Sequence, residues 1–188
     1  PLRKERRHTG PHDAVYQIMT RRFLSLVLAI GLLASPAAQA ADWQVDPARS
    51  TVKFSGMQDG QPFTASFKTF TAEVSFDPAD LAASKVAVTL PITAIVAEAP
   101  MIQQEIAGAD WFDARQFPAA TFTAAVFRKV DDGHFEADGT LTIRDHSRPL
   151  TLPFTFAEAA GRATVTATVS LKRNDYGIGQ GRWATDPS

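Results

Sequence analysis

The chain contains no cysteine. Without thiols there is no disulfide, no thiolate nucleophile and no cysteine-bound metal. A fold placed in an oxidising compartment then rests on its apolar core alone, which a domain of this size can supply. Tyrosine is scarce, with two residues in 188, and no aromatic girdles of the kind that mark lipid-spanning barrels stand out. Beyond residue 40 the histidines are His134 and His146, in different hairpins. With no HExxH, paired-histidine or carboxylate cluster, the sequence offers no metal site. Basic charge is thin as well: residues 41–188 hold 13 Lys and Arg against 18 Asp and Glu, a net of −5. That is a poor composition for binding nucleic acid.

The apolar run Phe23–Ala34, "FLSLVLAIGLLA", has 12 residues, whereas a hydrocarbon core takes about 20. Arg21 and Arg22 precede it, and Ala38-Gln39-Ala40 follows with the small-x-small form of a signal-peptidase site. A basic start, an apolar centre and a small-residue exit predict a secretory signal over residues 19–40, beginning at Met19. The pair Arg21-Arg22 lacks the spacer of a twin-arginine signal, so the ordinary export route to the periplasm is expected. Residues 1–18 are basic, polar and unpatterned, and read as an upstream extension outside the mature protein. Residues 41–188 form the domain.

What that domain has in abundance is alternation. In "PLTLPFTF", Leu150, Leu152, Phe154 and Phe156 share one face; in "ATVTATVSLK", Val165, Ala167, Val169 and Leu171 do. Phe63, Ala65 and Phe67 line up in "PFTASFK", as do Ala72, Val74 and Phe76 in "TAEVSF". Period-2 patterning with Thr on the other face marks half-buried strands. Turn signals at Asp59-Gly60, Asp77-Pro78, Asp131-Asp132-Gly133, Arg144–Pro149 and Ala160-Gly161 separate the runs. The predicted strands are 51–58, 62–68, 70–76, 84–95, 119–130, 134–143, 149–157 and 163–173. About eight antiparallel strands joined by hairpins predict an all-β, up-and-down barrel or sandwich. The segment 97–108, ending at Gly108, is the helical candidate.

One stretch breaks the pattern: "ADWFDARQFPAATF", residues 109–122. A flat strand cannot place Trp111 and Phe112 on one face. A helix followed by this aromatic knot would seal one mouth of a barrel, with Pro118 returning the chain to extended backbone. The knot is then either a plug that completes the core or a lid or floor for a ligand cavity. A barrel of about eight strands is either just filled or holds one small guest. Were a guest held, its lining would come from Phe54, Phe67, Val74 and Phe76 on the first three strands and Val88 and Leu90 on the fourth. Trp111 and Phe112 in the knot, Phe122, Leu141, Ile143, Phe154 and Phe156 on the next three strands, and Val169 and Leu171 on the last would complete it.

Catalytic patterns are weak. Asp145-His146-Ser147 resembles a triad in miniature, but sequence neighbours in a hairpin cannot adopt triad geometry, and a turn is expected. The glycines of "GIGQG", 177–181, follow no βα unit and predict a corner or bend. Arg173 and Asp175 could anchor that bend, by pairing with Asp113, or meet a polar head group.

Three ordered motifs, "ADWFDARQFPAATF", "DGTLTIRDHSRPLTLPF" and "LKRNDYGIGQGRWA", together with the opening "WQVDPARSTVKFSG", closely resemble the YceI-like family of periplasmic polyisoprenoid-binding proteins. The resemblance covers nearly all of residues 42–185. It implies a lipocalin-like barrel whose apolar interior binds an isoprenoid lipid such as a ubiquinone or a polyprenyl compound, with no catalytic residue and no other cofactor. The segment "PMIQQEIAGAD" resembles the branch found near cytochrome b561-type membrane proteins, which names a partner class; a dimer is compatible with it. Measured against the family, the last strand is expected to be missing after "TDPS", and the chain to be a fragment at both ends. Two other readings stay open. In a small outer-membrane barrel, Lys53, Lys68, Glu73 and Lys172 would line the lumen. The third is a lipid-modifying enzyme using the same cavity, although no nucleophile–base pair supports it.

Overall fold

A computed structural model describes residues 41–58 and 60–184; the expected extension 1–18 and signal 19–40 lie outside them. In chain order the strands are β1 (Asp42–Trp43), β2 (Val52–Gln58), β3 (Gln61–Phe67), β4 (Thr71–Ser75), β5 (Lys85–Pro91) and β6 (Ile95–Ala97). Helix α1 (Pro100–Ile106) follows, and then β7 (Ala119–Asp131), β8 (His134–Ile143), β9 (His146–Ala159) and β10 (Arg162–Ala167). These ten described strands form a seven-stranded sheet, β1-β4-β5-β7-β8-β9-β10, and a three-stranded sheet, β2-β3-β6. All pairings are antiparallel. Together the sheets make a nearly closed barrel with one short helix, one of the two architectures expected from the alternation and the one implied by the resemblance.

Two expected strands end differently, each for a local reason. The run 84–95 is divided between the sheets. β5 stops at Pro91, and a 3-10 turn at Ile92–Ala94 carries the chain across to β6, which pairs with β3. Proline has no N–H for a ladder. The next residue, Ile92, donates its N–H to Pro118 O at 2.8 Å and buries its side chain at the corner. The run 163–173 stops at Ala167, which pairs with Phe154. The next partner in register is Pro153, again a residue without an N–H. Val169 and Leu171 therefore lie beyond β10 and are 37% and 43% exposed.

Inward positions fill with apolar side chains in two clusters. The larger joins both sheets, from Ala65 and Phe67 through Phe122 and Leu141 to Trp183. The smaller is built from Phe76, Phe135 and Phe156, with Trp43 and Val74 packed against it. One inward position admits no side chain. A Cβ on Gly139 would overlap the Thr123 carbonyl oxygen and press on Ala124 and Phe122, beside the register shift between Ala124 and Val126. Gly139→Ala should therefore cost about 2 kcal/mol through overpacking against backbone, read as a lower urea midpoint with unchanged slope. An unaltered midpoint would show that β7 yields freely there.

Candidate binding site

Helix α1 begins with Pro100 at its first turn and turns its apolar side inward, where Ile106 is 1% exposed and Ile102 packs on the main cluster. Gly108 ends it. The segment that follows folds back onto the helix end. Phe112 N donates to Ile106 O at 3.1 Å, Ala114 N to Ala107 O at 3.0 Å, and Asp113 N to Gly108 O at 2.8 Å. This reversal requires a left-handed residue, and Asp113 adopts φ 46°. Its carboxylate accepts from Gln116 Nε2 at 2.7 Å, while its carbonyl accepts from the N–H groups of Gln116 and Phe117. Asp113 thus organises the turn, with the main-chain carbonyl rather than the carboxylate receiving those backbone donors.

The fold-back brings the rings together. Phe112 lies 5.8 Å from Phe54, and Trp111 lies 6.0 Å from Phe63 and 5.9 Å from Trp183, all edge to face. That geometry suits the quadrupoles of the rings. Trp183 was not among the expected residues; nor were Tyr176, Ile178 and Ile106, all of them buried in the same cluster. The signal for the tail residues was present in "YGIGQGRW", where three apolar residues sit among glycines in a segment read only as a bend.

Two arginines tie the layers. Arg144, at the β8–β9 turn with φ 57°, donates from Nη1 to the carbonyls of Trp111 at 2.8 Å, Gly177 at 2.7 Å and Ala109 at 3.1 Å. Its guanidinium lies 5.4 Å from the Phe117 ring centroid. Arg173 donates to the carbonyls of Ile178, Gly179 and Trp183 at 2.8–3.0 Å, so it anchors the glycine-rich bend through backbone. Asp110 O accepts from the N–H groups of Gly179 and Gln180 at 2.8 and 2.7 Å. Burial, aided by neighbouring Asp175, pushes the Tyr176 phenol above its ordinary value. Of the Asp145-His146-Ser147 stretch, Asp145 lies in the β8–β9 turn, while His146 and Ser147 open β9 and pair with Ile143 and Thr142. His146 Nδ1 lies 2.7 Å from Asp145, whereas Ser147 Oγ is bonded to Thr142 Oγ1 at 2.8 Å on a strand.

The structure gathers Phe54, Phe67, Val88, Leu90, Trp111, Phe112, Phe122, Leu141, Ile143 and Phe154 into the main cluster. It places Phe76 and Phe156 in the smaller one, with Val74 against it. Val169 and Leu171 stand apart, exposed. Two spaces adjoin α1. One, between Ile102, Glu105, Ile106 and Trp111, is a shallow, partly open dimple too narrow for a water. Beside α1, a solvent-open groove of about 490 Å³ runs along β6 past Lys68, Glu98 and Gln103. Neither is an elongated apolar tunnel. The inward rings pack on one another, yet Phe54, Phe63, Leu150, Leu152 and Phe154 remain only half-buried.

Residues 43–187 match the YceI-like domain. A UPF0312 protein of Pseudomonas putida is 28% identical over 170 residues, covering 86% of this chain and 88% of its own. A UPF0312 protein of Shewanella baltica is likewise 28% identical over 172 residues, covering 85% and 88%. Among solved structures, the crystal structure of Burkholderia cenocepacia BcnA superposes with a TM-score of 0.71 at 31% identity, over 74% of this chain and 88% of that one. The Campylobacter jejuni YCEI protein superposes with a TM-score of 0.56 at 24% identity, over 74% and 85%, a likeness of fold.

Proposed function

The chain belongs to the YceI-like domain family, and on that premise we propose that it is a periplasmic binding protein for an isoprenoid lipid, polyprenyl or quinone-like, held against the apolar interior of the barrel. The observation that carries this reading is the half-buried state of inward-facing Phe54, Phe63, Leu150, Leu152 and Phe154. These side chains point into the barrel and still keep uncovered apolar surface. Covering such surface with a hydrocarbon tail is worth about 0.8 kcal/mol per buried CH₂, so a guest of several isoprene units gains by lying there. Export by the 19–40 signal would place the protein where lipids need escort through water. The segment "PMIQQEIAGAD" points to a membrane protein of the cytochrome b561 type as its partner.

The test is to express the chain with its leader, release it by osmotic shock, and analyse the purified protein for bound lipid by mass spectrometry. A short-tailed ubiquinone is then titrated while tryptophan emission is followed. We expect a co-purifying isoprenoid, or uptake of the quinone with quenching of Trp111, at one guest per chain. Absence of both would overturn the proposal, and recovery only with the outer membrane would favour the membrane-barrel reading.

A further inference from the structure

We propose that the indole N–H of Trp111 is the polar contact of the binding site, donating a hydrogen bond to a neutral acceptor oxygen on the guest, such as the ring carbonyl of a quinone-like head. The inference rests on the binding function proposed above and deepens it, by choosing the head that the tail carries. Trp111 is 6% exposed, and its Nε1 finds no hydrogen-bond partner in the protein. A buried tryptophan N–H usually has one, and a buried donor without a partner is destabilising. The same fold satisfies an indole elsewhere: Trp43 Nε1 donates to Phe76 O at 2.9 Å. Arg144 Nε is also without a partner, but that guanidinium already serves three carbonyls through Nη1. The side chain of Trp111 has no second polar atom. Its main chain is held on both sides, since its N–H donates to Gly108 O at 3.0 Å and its carbonyl accepts from Arg144. The ring packs edge to face on Phe63 and Trp183. The donor is thus fixed in place and unmet, which lowers the ordering cost of binding an acceptor.

Its neighbours indicate what meets it. Phe63 lies 6.0 Å from Trp111, and Phe54 lies 6.2 Å from Phe63. Both are among the half-buried inward rings that offer surface to a tail. A tail laid along Phe54 and Phe63 brings its head to Trp111. That head must accept, because an indole N–H only donates. Charge decides between acceptors. Glu105 lines the same dimple as Trp111, and its carboxylate is bonded to Arg182. A diphosphate beside it would meet like charge and lose its hydration. A quinone carbonyl is uncharged, and a hydrocarbon guest would leave the donor unmet.

Three guests with the same tail of two isoprene units test this: ubiquinone-2, geranylbenzene and geranyl diphosphate. Their binding to the exported wild-type protein and to Trp111→Phe is measured by calorimetry. We expect Trp111→Phe to weaken ubiquinone-2 about tenfold more than it weakens geranylbenzene, the scale of one lost hydrogen bond. The wild type should bind geranyl diphosphate no more tightly than geranylbenzene. In the ¹⁵N-labelled wild type, the Trp111 indole proton should move downfield with ubiquinone-2 and not with geranylbenzene. The chain has three tryptophans, so Trp43→Phe and Trp183→Phe identify that signal by elimination, and this arm stands even if Trp111→Phe misfolds. Equal weakening of ubiquinone-2 and geranylbenzene, or an indole proton unmoved at saturation with ubiquinone-2, would overturn the donor and leave the binding function intact. Geranyl diphosphate binding more tightly than ubiquinone-2 would overturn the neutral head. Binding of none of the three by the wild type would overturn the binding function as well.

Discussion

Replacing Phe76 by alanine lowers the unfolding free energy by about 4 kcal/mol, the range for emptying a large aromatic site in a core. Phe76 is 3% exposed and touches four rings: Phe156 at 4.9 Å, Phe135 at 5.3 Å, Phe154 at 5.4 Å and Phe127 at 5.5 Å between centroids. Those four belong to β7, β8 and β9, whose ladders fix their spacing. The walls therefore cannot close on the hole, and the loss combines transfer, cavity and ring–ring terms. Phe76 also holds the first strand. Its N–H donates to Ala41 O at 2.9 Å, and its carbonyl accepts from Trp43 Nε1 at 2.9 Å. The melting temperature should fall by roughly 10 °C for a domain of this size. Val169→Ala is the control; at an exposed position it should change stability by no more than about 0.5 kcal/mol. A loss below about 1 kcal/mol for Phe76→Ala would mean that the smaller cluster adds little to the fold.

The contrast between these two positions shows where the sequence is readable. Val169 and Phe76 both lie on the apolar face of an alternating run, and periodicity treats them alike. What separates them is which residue lies across the ladder. β10 fails where its partner would be Pro153, and that partner is known only once β9 and β10 are in register. The same holds for the run 84–95. Its alternation continues through Pro91, but the chain changes sheets there, because Pro118, distant in sequence, supplies the acceptor for Ile92. Hairpins and strand faces are local and were legible. The knot was legible as an interruption, since adjacent Trp111 and Phe112 cannot share a strand face. Its closure by Tyr176, Ile178 and Trp183 was not, because glycine-rich backbone carries no periodicity to read. Arg144 was hidden for a different reason. In the sequence it is one residue of a polar turn, and its partners lie 33 to 35 positions away.

Arg144→Met should therefore cost about 3 kcal/mol although it places an apolar side chain of similar length in a half-buried site. Against the arginine stand the desolvation of a guanidinium and an Nε that finds no acceptor. In its favour is one amino group shared among three carbonyls, from Ala109, Trp111 and Gly177. Hydrogen bonds from a charged donor contribute about 1.5–3 kcal/mol each, and a carbonyl left buried without a partner costs about 1–3 kcal/mol. Two such losses outweigh what the methionine regains by burial. Arg144→Lys should recover less than half of the loss, since an ammonium on a shorter, flexible stem neither holds the position of Nη1 among three carbonyls nor places a planar cation near the Phe117 ring. The two variants separate charge from geometry. Rescue by lysine would make the site electrostatic, whereas failure makes it geometric. Hydrogen exchange locates the effect: protection should fall in 109–118 and 173–183 together, while β7 and β8 keep theirs. Loss confined to either segment alone would show that the arginine does not couple the plug to the tail. Loss in both makes this turn residue the joint that keeps Trp111 and Trp183 in contact within the main cluster.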